Sequence, residues 1–195
     1  MEMYAVGIIG GGPAGLSCAL TLADGSKRFD FARDKRFLVV DSGSSDVLKA
    51  VLNNVPGVKR ETTGEEYLEF LRTQVEEFEN VNLVDGEVCE VYGKKGNFRI
   101  VLSDGREFGA ELVVFATGFQ SFNVKTDLVE VIPHPVSPRP GKIALKPKAE
   151  GVYVAGLSAG KITMVAVACG SGVEVGCEIL SEWAGKVVVG HDSIK

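Results

Sequence analysis

Short apolar runs alternate with amphipathic stretches along this chain, and the alternation predicts an α/β fold. Residues 4–9 are almost continuously apolar, which is typical of a strand buried on both faces in a parallel sheet. Residues 16–23 follow as a helix with small residues on the side facing the sheet, and residues 37–40 form a second buried strand ending at Asp41. These elements make a βαβ unit, which we expect to cross over right-handed.

The pattern continues through the second half of the chain. A helix is predicted from Thr63 to about residue 80, because its apolar side chains recur at steps of three and four. Strand 81–84 follows, and then an antiparallel β-meander over about 86–110, with strands at 88–91, 98–102 and 107–108. Residues 112–116 and 152–155 are two more buried strands, and a closing helix is predicted over 162–184.

A proline-rich connection over about 121–148 is the one long stretch without a clear period, and it predicts irregular or edge structure. There is no internal repeat and no linker that divides two cores. We therefore expect a single domain over residues 1–195, built on a central parallel sheet with helices and an inserted meander.

Composition narrows the function. The net charge of −5 and the diluted basic stretches argue against a nucleic-acid partner. Four cysteines without a Cys-x-x-Cys pair, and two histidines, form no ligand cluster at zinc spacing, so no metal site is predicted. His134 and His191 are expected to be solvated. No apolar stretch reaches the roughly 20 residues of a membrane span, and we expect a cytoplasmic protein.

A glycine motif lies between the first strand and the first helix. In Gly10-x-Gly12-x-x-Gly15, the first glycine permits the tight turn, the second lets a phosphate approach the backbone, and the third lets the helix pack closely on the strand. Pro13 and Ala14 complete the loop. The helix N-terminus offers N–H groups to a diphosphate. The alternative is a glycine-rich turn with no ligand.

Asp41 stands where a ribose-binding carboxylate is expected, able to accept hydrogen bonds from both ribose hydroxyls. The distance from Gly10 to Asp41 is 41 − 10 = 31 positions, against about 20 in the usual motif. We ascribe the excess to a charged insertion at about residues 26–35. The alternative is that Asp41 only caps a turn.

Several further motifs, in the right order, resemble the FAD-binding part of the thioredoxin reductase group of flavoprotein disulphide oxidoreductases. They include the Asn-Val-Pro-Gly run at 54–57, in which valine replaces an aromatic residue, Gly-Glu-Val at 86–88, the strand ending Ala-Thr-Gly at 116–118, and residues 151–156. The resemblance implies a Rossmann-type fold and FAD as cofactor. It also implies the cofactor-binding residues Gly10, Gly12, Pro13, Ala14, Gly15, Asp41, Ser42, Asn54, Val88, Thr117, Gly118, Gly156, Leu157, Met164 and Val165.

In that resemblance, Asn54 lies beside the flavin ring, the backbone at Val88 contacts the adenine, and Met164-Val165 begins the helix that points at the flavin. Two departures stand out. Leu157 occupies the position of a family aspartate that holds the ribityl-phosphate region. The chain also runs from Gly118 to Gly151 with no NADPH domain and no Cys-x-x-Cys between them.

The resemblance implies an FAD-dependent oxidoreductase, with electrons from diffusing NAD(P)H or from a partner redox protein. No catalytic residue is assigned. One alternative is a non-catalytic FAD-binding redox sensor or a subunit of a larger complex. Another is a Rossmann domain that uses NAD(P) directly, although the later motifs belong to the FAD pattern. An apolar, half-open flavin site would favour a homodimer.

Overall fold

The computed structural model describes residues 1–188, and a seven-stranded sheet forms its centre. The helices are α1 (Pro13–Arg28), α2 (Gly64–Glu76) and α3 (Val165–Ala184). The strands are β1 (Glu2–Ile9), β2 (Phe37–Asp41), β3 (Val51–Leu52), β4 (Thr62–Thr63), β5 (Val81–Asp85), β6 (Val88–Lys94), β7 (Asn97–Leu102), β8 (Glu107–Phe115), β9 (Val129–Pro133), β10 (Ile143–Pro147) and β11 (Val152–Val154).

The central sheet has the order β5-β2-β1-β8-β7-β6, with β11 also paired to β8. Strands β5, β2, β1, β8 and β11 are parallel, whereas β6 and β7 join through antiparallel pairs. The predicted α/β class, with a mainly parallel sheet and an inserted meander, is confirmed. The apolar runs became the parallel strands because both of their faces are covered.

Strand β8 differs from the prediction. Two separate strands were expected, at 107–108 and 112–116, but Glu107–Phe115 is one strand. One edge of it pairs with β1 along its length, while the other edge pairs first with β7 and then with β11. Gly109 and Ala110, which lie between the two predicted strands, are ladder positions that face both Met3–Tyr4 and Phe98–Arg99.

Alternate residues of the parallel strands face two hydrophobic clusters. Ile8, Val39 and Val114 face the cluster that includes α1, α2 and α3. Ile9 and Val40, their neighbours in sequence, face the cluster that contains the meander. The meander therefore folds over the sheet face that the helices leave open.

Helix boundaries shift from those predicted. Helix α1 continues to Arg28 instead of ending near residue 23, since Gly25 is buried against Leu180 and two basic residues fall in its last turn. Helix α2 starts as predicted, with Thr63 and Glu66 forming a reciprocal capping box, but it ends at Glu76. Helix α3 starts three residues late because Met164 has extended backbone angles, φ −134° and ψ 135°.

The proline-rich connection contains regular structure. Strands β9 and β10 pair as an antiparallel hairpin outside the main sheet. No helix within residues 1–188 is long and apolar enough to cross a membrane. His191 lies outside the described residues.

Candidate functional site

A cleft of about 390 Å³ opens at the carboxyl ends of the parallel strands. Its floor includes Ile9 from β1, Val40 from β2, and Gly86, Ala116 and Ala155, which directly follow β5, β8 and β11. Strand β1 continues through α1 to β2 on one side, whereas β8 lies on its other side. Such a reversal of strand order is where open α/β sheets bind ligands.

The N-terminus of α1 forms one wall of the cleft. Gly10, Gly12, Pro13 and Ala14 line it, and Gly12 is the N-cap residue with no side-chain cap hydrogen bond. The first turn contains no acidic residue. Its N–H groups have no partner within the helix, and the partial positive charge of the helix end faces the cleft.

Gly10 has φ +110°, and a Cβ at this position would lie 2.4 Å from the carbonyl oxygen of Ala116. The turn therefore needs glycine for both its backbone angle and its space. Gly15 does not line the cleft. A Cβ there would lie 1.9 Å from the Gly10 carbonyl oxygen and 3.3 Å from Cγ2 of Ile8 in β1, so the helix packs closely on the strand as predicted.

The N-terminus of α3 reaches the same cleft. Thr163, Met164 and Val165 line it, Met164 is an N-cap without a side-chain hydrogen bond, and the first turn has no acidic residue. The N-terminus of α2, by contrast, lies outside the cleft and is closed by its capping box. Two uncapped helix N-termini thus meet at one cavity.

The charged side chains of residues 1–188 that line the cleft are all acidic. Asp41, Asp46 and Glu87 line it, while no lysine, arginine or histidine among residues 1–188 does. A bound anion therefore has to be held by main-chain N–H groups and helix ends. This is the arrangement that suits the diphosphate of a dinucleotide.

Asp41 is held on three sides. Its Oδ1 accepts hydrogen bonds from the backbone N–H groups of Gly11, at 3.3 Å, and Gly43, at 3.1 Å. Its Oδ2 lies 3.2 Å from Nη1 of Arg72, whose Nη2 lies 3.2 Å from Oδ1 of Asp85. Asp41 lines the cleft, and its Oδ1 also closes the turn to Gly43.

Thr117 and Gly118 line the cleft where β8 ends. Within the described part of the chain, Oγ1 of Thr117 is buried and has no hydrogen-bond partner. A buried hydroxyl without a partner is costly, and this one leaves a hydrogen-bonding position open at the cleft. Gly118 has φ +74° and open space where a side chain would be.

The structure brings together most of the residues predicted from the sequence. Twelve of the fifteen line the cleft: Gly10, Gly12, Pro13, Ala14, Asp41, Ser42, Val88, Thr117, Gly118, Leu157, Met164 and Val165. Gly15 and Gly156 lie behind the lining, and the N–H of Gly156 donates to Oγ of Ser171 at 2.9 Å. Asn54 is exposed after β3 and does not line the cleft, so its contact with a flavin stays a prediction.

Leu157 lines the cleft, and its carbonyl oxygen is 3.0 Å from Nε2 of His134. His134 was expected to be solvated, and that expectation is wrong, since only 9% of its surface is exposed. The β9–β10 hairpin carries it inward, where it packs edge-on against Phe119. Because the N–H of Val136 points at Nδ1, at 3.4 Å, the geometry favours the proton on Nε2.

Sequence reasoning missed a polar pair at the mouth of the cleft. Nε2 of Gln120 donates to both carboxylate oxygens of Asp46 at 2.9 Å, and Lys142 donates to Oε1 of Gln120. The pair joins the segment after β2 to the segment after β8. The only sequence signal was that both residues follow parallel strands and so share one edge of the sheet.

The four cysteines are free. Cys18 is fully buried, and burial raises the pKa of its thiol, with Cys177 adding to the effect. Sγ of Cys169 lies 3.1 Å from the Tyr67 hydroxyl. Burial is the main cause that raises the pKa of this hydroxyl, and the contact with Cys169 raises it further. Within residues 1–188, no cluster of three or more His, Cys, Asp or Glu side chains could hold a metal.

A parallel sheet with a glycine turn, a carboxylate after the second strand and a helix N-terminus at the strand reversal is the arrangement of a Rossmann-type fold. Residues 4–130 match the family model described as pyridine nucleotide-disulphide oxidoreductase. The chain belongs to this family of oxidoreductases. A thioredoxin reductase of Peptoclostridium acidaminophilum is 29% identical over 117 residues, which are 60% of this chain and 35% of that enzyme.

Solved structures share the fold. A thioredoxin reductase from Gloeobacter violaceus aligns with a TM-score of 0.75 at 16% identity, covering 100% of both chains. A ferredoxin-flavin thioredoxin reductase from Clostridium acetobutylicum aligns with a TM-score of 0.68 at 16% identity, covering 95% of this chain and 99% of that one. The resemblance to thioredoxin reductases is confirmed. The chain spans about a third of the length of the Peptoclostridium relative.

Proposed function

We propose that this chain is an FAD-binding flavoprotein oxidoreductase whose cofactor occupies the cleft between α1 and α3. The observation that carries the proposal is the meeting of two uncapped helix N-termini at a cavity that no basic side chain of residues 1–188 lines. One helix end suits a diphosphate. The second suits an electron-accepting ring that becomes more negative on reduction.

The lining residues divide by the part of FAD they would hold. The backbone of Gly12 and Ala14 would hold the diphosphate, and Asp41 the adenosine ribose. Val88 would lie towards the adenine. Thr117 offers the unsatisfied hydroxyl to the middle of the cofactor, where Leu157 supplies an apolar contact in place of the family aspartate.

FAD, when bound, would supply the electron-transfer chemistry, accepting electrons from a donor and passing them to an acceptor. The protein would contribute position and electrostatics. The α3 N-terminus, with Met164 as its N-cap, would favour negative charge nearby.

The chain has no Cys-x-x-Cys pair, so the proposal does not extend to reduction of a disulphide by a dithiol on these residues. The electron donor is proposed to be diffusing NAD(P)H or a partner redox protein. A partner is motivated by the likeness in fold to a ferredoxin-flavin thioredoxin reductase from Clostridium acetobutylicum.

The exposed apolar residues Ile162, Met164 and Val167 surround the start of α3. We propose that a second copy of the chain covers these side chains in the homodimer predicted from the sequence. Sedimentation or light scattering at working concentration tests for the dimer. A monomer across the concentration range would remove that prediction and leave the cofactor proposal unaffected.

The function is tested by the absorption spectrum of the purified protein and by chromatography of the nucleotide that it releases on denaturation. We expect a flavin spectrum and FAD in the supernatant. Anaerobic addition of NADH, NADPH or a reduced ferredoxin should bleach the flavin. Release of NAD(P) instead of FAD would contradict the cofactor, and a bound flavin that resists all three donors would contradict the oxidoreductase role.

A further inference from the structure

The carboxylate of Asp41 has fewer acceptor positions left than a free carboxylate. The group offers about four lone-pair positions, two on each oxygen. Oδ1 already accepts from the N–H groups of Gly11 and Gly43, and Oδ2 accepts from Nη1 of Arg72. One position, on Oδ2, therefore remains for a ligand.

Arg72 lies behind Asp41 and does not line the cleft. It comes from the middle of α2, and its second nitrogen is engaged by Asp85 at the end of β5. The side chain of Asp41 is 16% exposed and that of Arg72 29% exposed, while that of Asp85 is 83% exposed. Of the two contacts that Arg72 makes, the one with Asp41 is therefore the more buried.

We propose that Arg72 is a positioning residue for Asp41, the carboxylate that the proposed function places at the adenosine ribose, and that this contact leaves Asp41 a single acceptor position, on Oδ2, for that ribose. This rests on the proposed function to the extent that an adenine nucleotide occupies the cleft. It replaces the expectation from the sequence that Asp41 bonds both ribose hydroxyls.

Arg72 is not itself suited to bind a phosphate on the ribose. Two carboxylates flank its guanidinium, so the local charge of Arg72, Asp41 and Asp85 together is negative. A phosphate placed beside Oδ2 of Asp41 would meet a like charge. The arrangement therefore selects a ribose without a phosphate.

The first test determines how many ribose hydroxyls contribute to the binding affinity through Asp41. The affinities of ADP, 2′-deoxy-ADP and 3′-deoxy-ADP are measured by calorimetry on nucleotide-free protein, for the natural chain and for Asp41→Asn. The asparagine keeps an oxygen for Gly11 and Gly43 and puts an NH₂ group in place of Oδ2. Comparing each analogue in both proteins removes the contributions of other residues.

We expect one deoxy analogue to bind the natural protein about tenfold more weakly than ADP, the loss expected for a hydrogen bond to a charged acceptor. This loss should fall to about threefold or less in Asp41→Asn, because the neutral NH₂ group can only donate to the hydroxyl oxygen, and a neutral hydrogen bond is weaker than one to a carboxylate. The other hydroxyl should show no coupling to Asp41. Coupling of both hydroxyls, or of neither, would overturn the inference, and so would a failure of ADP to bind. If ADP binds selectively but FAD does not, the proposed function fails and the single-hydroxyl inference stands.

The second test separates positioning from folding. Arg72→Met should lower FAD affinity about fivefold to tenfold and leave FMN affinity unchanged, because FMN lacks the adenosine ribose. Arg72→Lys should restore part of the loss. Arg106→Met is the matched control, since Arg106 donates to the Asp85 carbonyl oxygen at 2.7 Å and to Asp104 but not to Asp41.

Equal losses for FAD and FMN in Arg72→Met would show a purely structural role and overturn the assignment. Unchanged FAD affinity would do the same. Tighter binding of 2′-phospho-ADP than of ADP by the natural protein would show that the arginine binds a ribose phosphate instead.

Discussion

The α-carbon of Gly172 in α3 lies against the main chain of Ala14 in α1, so closely that a Cβ on Gly172 would be 2.0 Å from the Ala14 carbonyl oxygen. Ala14 belongs to the first turn of α1, which lines the cleft. The contact joins the first turn of α1 to α3 about two turns after Val165, where α3 begins. With the helices packed this closely, both N-termini reach the same cleft.

Replacing this glycine should separate the helices. Gly172→Ala is expected to destabilise the fold by about 1–3 kcal/mol, since the new methyl group meets backbone that cannot rotate away. It should also weaken FAD binding, because the two helix ends move apart. Denaturant unfolding and a flavin titration measure the two effects.

Gly170→Ala is the matched control in the same helix. A Cβ at Gly170 has no atom within 4 Å. This change should stabilise the protein by about 0.5–1 kcal/mol, as alanine does in a helix interior. Similar losses in both variants would mean that the α1–α3 contact does not explain the packing.

Removing the buried hydroxyl of Thr117 should raise the stability of the protein and lower its affinity for FAD. Thr117→Val keeps the shape and removes the unsatisfied oxygen, so the cofactor-free protein should gain about 1 kcal/mol in unfolding free energy. FAD affinity should fall about twofold to tenfold, the worth of one hydrogen bond.

Thr117→Ser keeps the hydroxyl and serves as the comparison for binding. It should bind FAD within about twofold of the natural chain while losing some stability with its methyl group. A valine variant that binds FAD as tightly as the natural protein would show that the cofactor does not complete this hydroxyl.

Glu182 makes stability depend on pH. Lys95, 2.7 Å from Oε1, holds the pKa of this carboxyl below its ordinary value, and the Tyr153 hydroxyl adds to the effect. Because the folded protein lowers this pKa, the stabilisation is complete above the unfolded pKa of about 4.3 and is lost as pH falls through the folded pKa.

Glu182→Gln should therefore cost about 0.5–1 kcal/mol at pH 7, and the difference from the natural protein should vanish in acid below the folded pKa. Unfolding curves across that range measure it. Glu178→Gln removes the same charge from the preceding turn and should leave the profile nearly unchanged. A cost for Glu182→Gln that persists unchanged in acid would contradict the ionic origin.

The glycine turn of the site could be predicted from the sequence because its residues lie close together in the chain. Gly10, Gly12 and Gly15 fix a turn between two elements that are adjacent in the chain, and the motif also places the carboxylate of Asp41 at the end of the next strand. Helix α2 could be predicted from the spacing of its apolar side chains, and a capping box closes its start.

The rest depends on contacts between residues distant in the chain. Asp41 meets Arg72 31 positions away, and His134 reaches Leu157 only because a hairpin formed in a stretch that looked irregular. The continuity of β8 through Gly109 was hidden since weak strand formers there are supported on both edges by other strands.

The central claim is that a dinucleotide diphosphate is held by the bare N-terminus of α1, and Gly12→Asp tests it most directly. Gly12 has φ −78° and ψ −174°, angles that suit any residue, and aspartate is a favourable N-cap. The new carboxylate would satisfy the helix end and repel a phosphate.

FAD affinity of the natural protein and of Gly12→Asp is measured by flavin fluorescence, with the melting temperature of each cofactor-free protein. We expect the variant to melt at the same or a higher temperature and to lose FAD binding by at least about tenfold. A variant that is equally stable and binds FAD as tightly as the natural chain would contradict the account.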